Sequence, residues 1–235
     1  SPGCSMHTGE KVRMALQLER LGVDVIEAGF PIASPGDFEA VRAISEAVRG
    51  AKVAALCRAK AKDIEVAGQA LEGAVQPVIH TFLATSGIHL KWKLRITPEE
   101  ALKQAVEGVK LARTFCDEVE FSAEDASRSD YGYLKEILQA VFEAGAQTLN
   151  VPDTVGYALP PEYADMVRKL VRDLWHIKGQ ALAIALVIAS GVAMFVMYLS
   201  TFDSLRLTQR TYYERYQNSN ATTDNHKLVI TPATP

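Results

Sequence analysis

The chain has 235 residues, of which 48% are hydrophobic and 23% are charged, and its formal net charge is −3. This length accommodates one large domain or two small ones, and the slightly acidic balance gives no indication of nucleic-acid binding. Three cysteines, Cys4, Cys57 and Cys116, lie far apart without a CxxC pair, so neither a disulfide framework nor a zinc cluster is indicated.

Short apolar runs alternate with amphipathic helical stretches from Ser1 to about Leu174, at a spacing of roughly thirty residues. Such repeats predict a parallel sheet with covered faces, either a β/α barrel or a doubly wound sheet. Polar residues at the end of nearly every strand favour a barrel, with about five strands and six helices in this chain. The predicted strands are 23–30, 52–56, 78–83, 119–121 and 148–151, and the bounded helices are 35–48, 61–71, 97–115, 131–143 and 161–174.

The character of the sequence changes at residue 175. Between Gly179 and Phe202 no side chain is charged, and a helix of this length reaches about 36 Å, enough to cross the hydrocarbon core of a bilayer. A buried core helix is the alternative, although a helix on a soluble barrel normally keeps a polar face. We therefore predict one transmembrane-type helix over residues 179–202, within a segment 175–216, followed by a loose polar tail over 217–235.

Hydroxyl, carboxylate and imidazole side chains follow the predicted strands. Ser122 and Glu124 lie two residues apart just past one strand, so their side chains are expected on the same side. Thr154 follows the next strand, and His80 ends an earlier one. Each has a structural explanation when taken singly: a helix cap, a turn residue or a hydrogen-bonded core histidine. Their convergence at one barrel mouth favours instead a site that holds a carboxylate and transfers protons.

Several stretches of the first part carry a resemblance to a known family. They are Glu27–Pro31, Ser34–Val41, His80–Ser86 with Ile88–Lys91, Glu120–Asp130 and Asn150–Tyr157. Over Ser1 to about Leu174 the sequence resembles 2-isopropylmalate synthase, which implies a partial TIM (β/α)8 barrel. That family condenses acetyl-CoA with 2-oxoisovalerate in a Claisen-type reaction of leucine biosynthesis and uses a divalent metal, Mg²⁺ or Mn²⁺.

The resemblance also implies roles for individual residues. Thr154 would hydrogen-bond the keto acid carboxylate, while His80, Ser122 and Glu124 would line the keto acid pocket. Glu124 and His80 are the candidate catalytic residues, and Glu27 and Asn150 are further substrate-binding candidates near the mouth. By the same resemblance, residues 1–174 are expected to be cytoplasmic, and the complete enzyme is expected to be a homodimer.

The metal ligands of the family are not expected in this chain. The family's Asp-Thr-Thr-Leu-Arg-Asp-Gly-Glu-Gln signature, whose first Asp binds the metal, would precede Ser1, and its His-x-His pair does not follow Leu174. We therefore expect no turnover from this chain. We also expect it to be a piece of a longer protein without a secretory signal.

A second resemblance covers residues 172–216. The run from Arg172 through the apolar segment to Tyr216 resembles the amino-terminal span of an FtsX-like ABC-transporter permease. This predicts a chimera, joined near residues 168–174, whose span anchors the whole chain to a membrane. The alternative function is thus a membrane component that carries the barrel piece as cargo, and a membrane-tethered metabolic protein is a third interpretation.

Overall fold

The computed structural model describes residues 6–175, 191–192, 194–198, 201–202 and 205–206. The chain divides into two compact units, residues 1–187 and residues 188–235. The strands described in the first unit are β1 Val25–Gly29, β2 Lys52–Arg58, β3 Pro77–Ala84, β4 Glu118–Glu124 and β5 Thr148–Asn150. The helices are α1 Thr8–Leu21, α2 Pro35–Ala47, α3 Ala61–Ala70, α4 Pro98–Ala112, α5 Tyr131–Glu143 and α6 Pro160–Trp175, with short 3₁₀ helices at Pro31–Ala33 and Ala126–Arg128 and a π-helix at His89–Leu94.

The five described strands form one parallel sheet in the order β1-β2-β3-β4-β5. Right-handed crossovers that always step in the same direction place every connecting helix on the same face of the sheet. A doubly wound sheet would reverse its strand order at a switch point, and this order has no reversal. The prediction of a partial TIM-barrel-like fold is therefore confirmed.

Side chains along β4 alternate between polar and apolar with the period of two expected for a strand. The side that faces the helices is apolar and closed to solvent, because Val53 on β2, Ile79 on β3 and Phe121 on β4 all have 0% exposure. The opposite side, here called the inner face, carries polar side chains at the alternate positions. They are Glu27, His80, Glu120, Ser122 and Glu124.

Local capping fixes where two of the helices start. The Ser34 hydroxyl accepts a hydrogen bond from the Asp37 N–H at the start of α2. Thr97 and Glu100 form a reciprocal capping box at the start of α4, followed by Pro98 in the first turn. These caps hold the loops that leave β1 and β3 and so help to position the ends of those strands.

The predicted membrane span, residues 179–202, lies largely outside the described residues, and the predicted tail, residues 217–235, lies entirely outside them. Among the residues that the structure describes, no helix combines the length and apolar character needed to cross a bilayer. The described residues of the second unit are helical and exposed. The span, the permease-like segment and the chimera therefore stay predictions.

Candidate active site at the carboxyl ends of the strands

His80 does not end its strand as predicted: it is the fourth residue of β3, lies on the inner face and contacts side chains from two other strands. Its Nδ1 atom is 2.5 Å from Oε2 of Glu27 on β1, and its Nε2 atom is 2.6 Å from Oγ of Ser122 on β4. The imidazole is mostly buried, with 11% of its side chain exposed. Three of the predicted site residues are therefore directly linked by hydrogen bonds.

The contact between Glu27 and His80 reaches across β2. Ala54 of β2 pairs in register with Glu27, whereas Leu56 of β2 pairs with His80, so the contact runs diagonally across β2. Ala54 has 2% exposure. Two alternate strands thus contribute side chains to one contact, as in the interior of a barrel.

Glu120 is a second carboxylate beside His80, and it is not among the site residues predicted from sequence. Its Oε1 atom lies 3.6 Å from His80 Nε2, and 23% of its side chain is exposed. The signal for it is present in the sequence, since Glu120 is two residues before Ser122 on one strand and must share its face.

The electrostatics of this group depend on burial and on the two carboxylates. Burial disfavours the imidazolium, but the hydrogen bond to Glu27 and the charge of Glu120 outweigh it and raise the pKa of His80 above its ordinary value. Burial raises the pKa of Glu120, and the negative charge of Glu27 adds to this effect while the charge of His80 opposes it. The geometry thus favours a proton on His80.

Glu124, a candidate catalytic residue, is the last residue of β4 rather than a residue past the strand. Lys93 of the π-helix places its Nζ atom 2.6 Å and 2.9 Å from the two carboxylate oxygens of Glu124. The side chain of Glu124 is 20% exposed. Glu124 is therefore ion-paired at the mouth and does not contact the His80 cluster through any recorded hydrogen bond.

Asp125, which follows Glu124, connects the loops after β3 and β4. Its carboxylate has 0% exposure and accepts hydrogen bonds from Arg128 Nε and Nη2 at 2.8 Å and 2.7 Å. His89 Nδ1 lies 2.8 Å from the same carboxylate. Burial alone would raise the pKa of Asp125, but the hydrogen bonds from Arg128 and His89 outweigh it and hold the pKa below its ordinary value.

The backbone of Asp125 also contributes to the site. Its φ of 64° is in the left-handed region, which turns the chain sharply out of β4. In this conformation its N–H donates to Oγ1 of Thr154, 2.9 Å away in the turn after β5. Thr154 is thus fixed against the β4 loop, and the structural interpretation of this threonine as a turn residue also holds.

Asn150 and Asp153 position the end of β5. Asn150 is the last residue of β5 and pairs in register with Ser122, which places it at the same level of the sheet. Asp153 accepts a hydrogen bond from Ser127 Oγ at 2.6 Å and from the Tyr157 and Ala158 N–H groups. These contacts order the turn that presents Thr154.

The structure therefore separates the predicted site residues into two groups. Glu27, His80 and Ser122 form one connected cluster on the inner face, while Glu124, Asn150 and Thr154 lie at the carboxyl ends of β4 and β5, where Glu124 is ion-paired with Lys93 and Thr154 is bound to Asp125. Sequence reasoning missed Glu120, Asp125, His89, Lys93 and Arg128 as site residues. The alternation of side chains along β4 places Glu120 on the same face as Ser122 and could have identified it. The contacts of Asp125 and Lys93, in contrast, depend on how separate loops pack.

Comparison with known proteins identifies the family of this sequence. The sequence matches the HMGL-like family over residues 1–184. The chain belongs to the HMGL-like family. It is 54% identical over 184 residues to 2-isopropylmalate synthase of Pyrococcus furiosus, covering 78% of this chain and 37% of that protein.

Two further HMGL-like relatives give the same result. The 2-isopropylmalate synthases of Campylobacter fetus subsp. fetus and Heliobacterium modesticaldum are each 58% identical over 171 residues, or 73% of this chain. The chain spans 34% and 33% of these two proteins, so it corresponds to about a third of the curated relatives it matches.

Solved structures support the fold of this HMGL-like chain. A crystal structure of phosphonopyruvate hydrolase in complex with oxalate and Mg²⁺ aligns with a TM-score of 0.50 and 15% identity, covering 85% of this chain and 88% of that one. At this identity the likeness concerns the fold alone.

The HMGL-like family and its synthase relatives suggest dependence on a divalent metal. Within residues 6–175 and the short described stretches beyond them, no group of three or more His, Cys, Asp and Glu side chains is arranged to hold a metal ion. Both ring nitrogens of His80 already face protein oxygens, those of Glu27 and Ser122. The described residues alone do not fit a metal centre.

Proposed function

We propose that this chain contains the substrate-holding part of a 2-isopropylmalate synthase site and binds a 2-oxo acid, 2-oxoisovalerate, at the inner face. The observation that carries the proposal is the 2.6 Å contact between His80 Nε2 and Ser122 Oγ on the inner face of the sheet. Parallel α/β folds bind small polar substrates at the carboxyl ends of their strands, where Glu124, Asn150 and Thr154 lie. The identity to named synthases over residues 1–184 supports the same substrate class.

In this proposal the donors come from neighbouring strands. Ser122 donates its hydroxyl hydrogen to an oxygen of the 2-oxo acid, and Thr154 contributes from the turn after β5. Asn150 lies level with Ser122 and is the proposed lateral contact. Hydroxyl and amide donors in a partly enclosed site suit a carboxylate and a ketone, which offer only acceptor atoms.

In a complete synthase, Glu124 is proposed to take part in proton transfer with the methyl group of acetyl-CoA. It lies two residues from Ser122 on the same strand, which places it next to the 2-oxo acid. Because Lys93 binds both carboxylate oxygens, Glu124 must release this lysine or share it before it accepts a proton. Removal of the Lys93 side chain is therefore expected to change how readily the Glu124 carboxylate accepts a proton.

Substrate binding is tested with isothermal titration calorimetry on the full chain. We expect 2-oxoisovalerate to bind and Ser122→Ala to weaken binding about tenfold, because one hydrogen bond to a charged or polarised oxygen is lost. Isovalerate, which lacks the keto group, is the ligand control, and Ser45→Ala on α2 is the matched protein control. Equal affinity of wild type and Ser122→Ala would contradict the proposed pocket.

Turnover is a separate question. We propose that this chain does not carry out the condensation itself, as predicted from sequence. Release of free CoA thiol from acetyl-CoA is measured with and without 2-oxoisovalerate, in the presence of Mg²⁺ or Mn²⁺. Thiol release that depends on the 2-oxo acid would show that this expectation is wrong.

A further inference from the structure

His80 has an acceptor group next to each of its ring nitrogens. Nδ1 faces the Glu27 carboxylate at 2.5 Å, whereas Nε2 faces both the Ser122 hydroxyl at 2.6 Å and the Glu120 carboxylate at 3.6 Å. A neutral imidazole carries one N–H and one lone pair, so it satisfies only one side as a donor. With its proton on Nδ1, a neutral ring would point a lone pair toward Glu120.

The charges around His80 make that arrangement unfavourable. Several charged side chains of neighbouring elements are neutralised by partners of their own. These pairs are Lys52 with Glu118, Arg58 with Asp63, and Lys93 with Glu124. Within the described part of the chain, Glu27 and Glu120 have His80 as their recorded cationic partner. A proton on both nitrogens of His80 therefore reduces an excess of two negative charges.

We propose that Glu27 and Glu120 are positioning residues that hold His80 doubly protonated, so that its Nε2–H donates to Ser122 and directs the Ser122 hydroxyl hydrogen toward the substrate. This inference rests on the proposed function for its ligand. A hydroxyl that accepts from His80 keeps its own hydrogen available, and a 2-oxo acid presents only acceptors. His80 then acts through Ser122 and is not a base, which differs from the proton-transfer role expected from sequence.

The protonation state of His80 is measured directly in the ligand-free chain. Histidine labelled with ¹⁵N gives separate signals for Nδ1 and Nε2, and His80→Asn identifies which signals belong to His80. We expect both nitrogens to be protonated at pH 6.5 in the wild-type protein. Glu27→Gln is expected to lower the proton affinity of His80 about tenfold, and Glu120→Gln several-fold, because each removes a nearby negative charge.

Matched variants separate this effect from a general change of charge or fold. Glu107→Gln removes one negative charge from the exposed surface of α4 and is expected to leave the titration of His80 unchanged. Glu27→Asp and Glu120→Asp keep the charge and are expected to retain part of the effect. The proposal is wrong if His80 titrates at the same pH in wild type, Glu27→Gln and Glu120→Gln, or if Nε2 lacks a proton at pH 6.

Ligand binding provides a second measurement. A purely structural role of Glu27 would not make the loss of affinity depend on pH. For Glu27→Gln, 2-oxoisovalerate affinity is expected to fall about fivefold at pH 7.5 and to recover toward wild type at pH 6, where His80 regains its proton. An equal loss at both pH values would overturn the inference. Because the His80 titration needs no ligand, a chain that fails to bind 2-oxoisovalerate disproves the proposed function while leaving the protonation result separate.

Discussion

The two faces of β4 differ in exposure and in polarity, although their residues alternate along one strand. Val119, Phe121 and Ala123 face the helices with 0% exposure, whereas Glu120, Ser122 and Glu124 are polar and face the opposite side. The first set stabilises the fold through burial of apolar area. The second set places charges close together at some cost in stability. Substitutions on the two faces should therefore differ in size, in pH dependence and even in sign.

The largest effect is expected on the helix-facing side. Phe121→Ala removes a fully buried ring next to α4 and α5 and leaves a cavity, so we expect a loss of about 4 kcal/mol in the free energy of unfolding. Urea denaturation followed by circular dichroism measures this loss. Phe115→Ala, at a ring that is 42% exposed, is the control and should cost clearly less. Similar losses for both variants would contradict the comparison.

A smaller loss is expected at the loop network beside the inner face. Asp125→Asn weakens the hydrogen bonds of a buried carboxylate to Arg128 and His89, which should cost about 2 kcal/mol at pH 7. The folded pKa of Asp125 is lowered, so its stabilisation is present above about pH 4 and is lost as pH falls through the folded pKa.

Urea midpoints across a pH series test this expectation. Asp165→Asn removes a carboxylate from an exposed pair with Arg168 and should change stability by less than about 0.5 kcal/mol. If Asp125→Asn remains as stable as Asp165→Asn at pH 7, the buried network does not support the mouth of the site as described.

The contact between Glu27 and His80 should contribute less, and in the opposite pH range. The folded pKa of His80 is raised, so the stabilisation is complete below about pH 6.5 and is lost as pH rises through the folded pKa. Because the Glu27 side chain is 47% exposed, Glu27→Gln should cost only about 0.5–1 kcal/mol at pH 6 and almost nothing at pH 9. A loss that is the same at both pH values would exclude the ion pair as its cause.

Glu120 is expected to give the smallest effect, with reversed sign. Its folded pKa is raised, so the ionised carboxylate destabilises the folded state once pH exceeds that pKa. Glu120→Gln should therefore stabilise the protein by about 0.5 kcal/mol at pH 8. Thermal unfolding of the two proteins at pH 8 measures this difference. A clearly lower midpoint for Glu120→Gln would show that the carboxylate stabilises the fold rather than serving the site.

Sequence patterns predicted the regular elements well where the signals are local. Helix α5 begins and ends as predicted, at Tyr131 and Glu143, because a capping aspartate and an amphipathic period define it. Strand β4 was predicted only over Val119–Phe121 and runs to Glu124. Its polar inner-face residues resemble a loop when hydrophobicity alone is considered, although the period of two continues through them.

The candidate site could be predicted only in part, for a related reason. Inward-facing side chains of alternate strands are near one another in any parallel barrel, so the proximity of Glu27, His80 and Ser122 follows from the fold class. The pairing of Lys93 with Glu124 could not be predicted, because it depends on a π-helix that no simple hydrophobic period indicates. The left-handed backbone of Asp125 likewise depends on contacts made by separate loops.

Two contacts on the inner face skip a strand: Glu27 reaches His80 over β2, and Lys52 reaches Glu118 over β3 at 2.6 Å. In a flat sheet, strands two apart are about 9.6 Å from each other, and side chains standing upright would not meet. These pairs thus need side chains that lean across the intervening strand, and curvature of the sheet shortens the distance that they must span. A flatter sheet would lengthen the span between the Glu27 carboxylate and the His80 ring, so the protonation of His80 is expected to respond to a change in the curvature of the sheet.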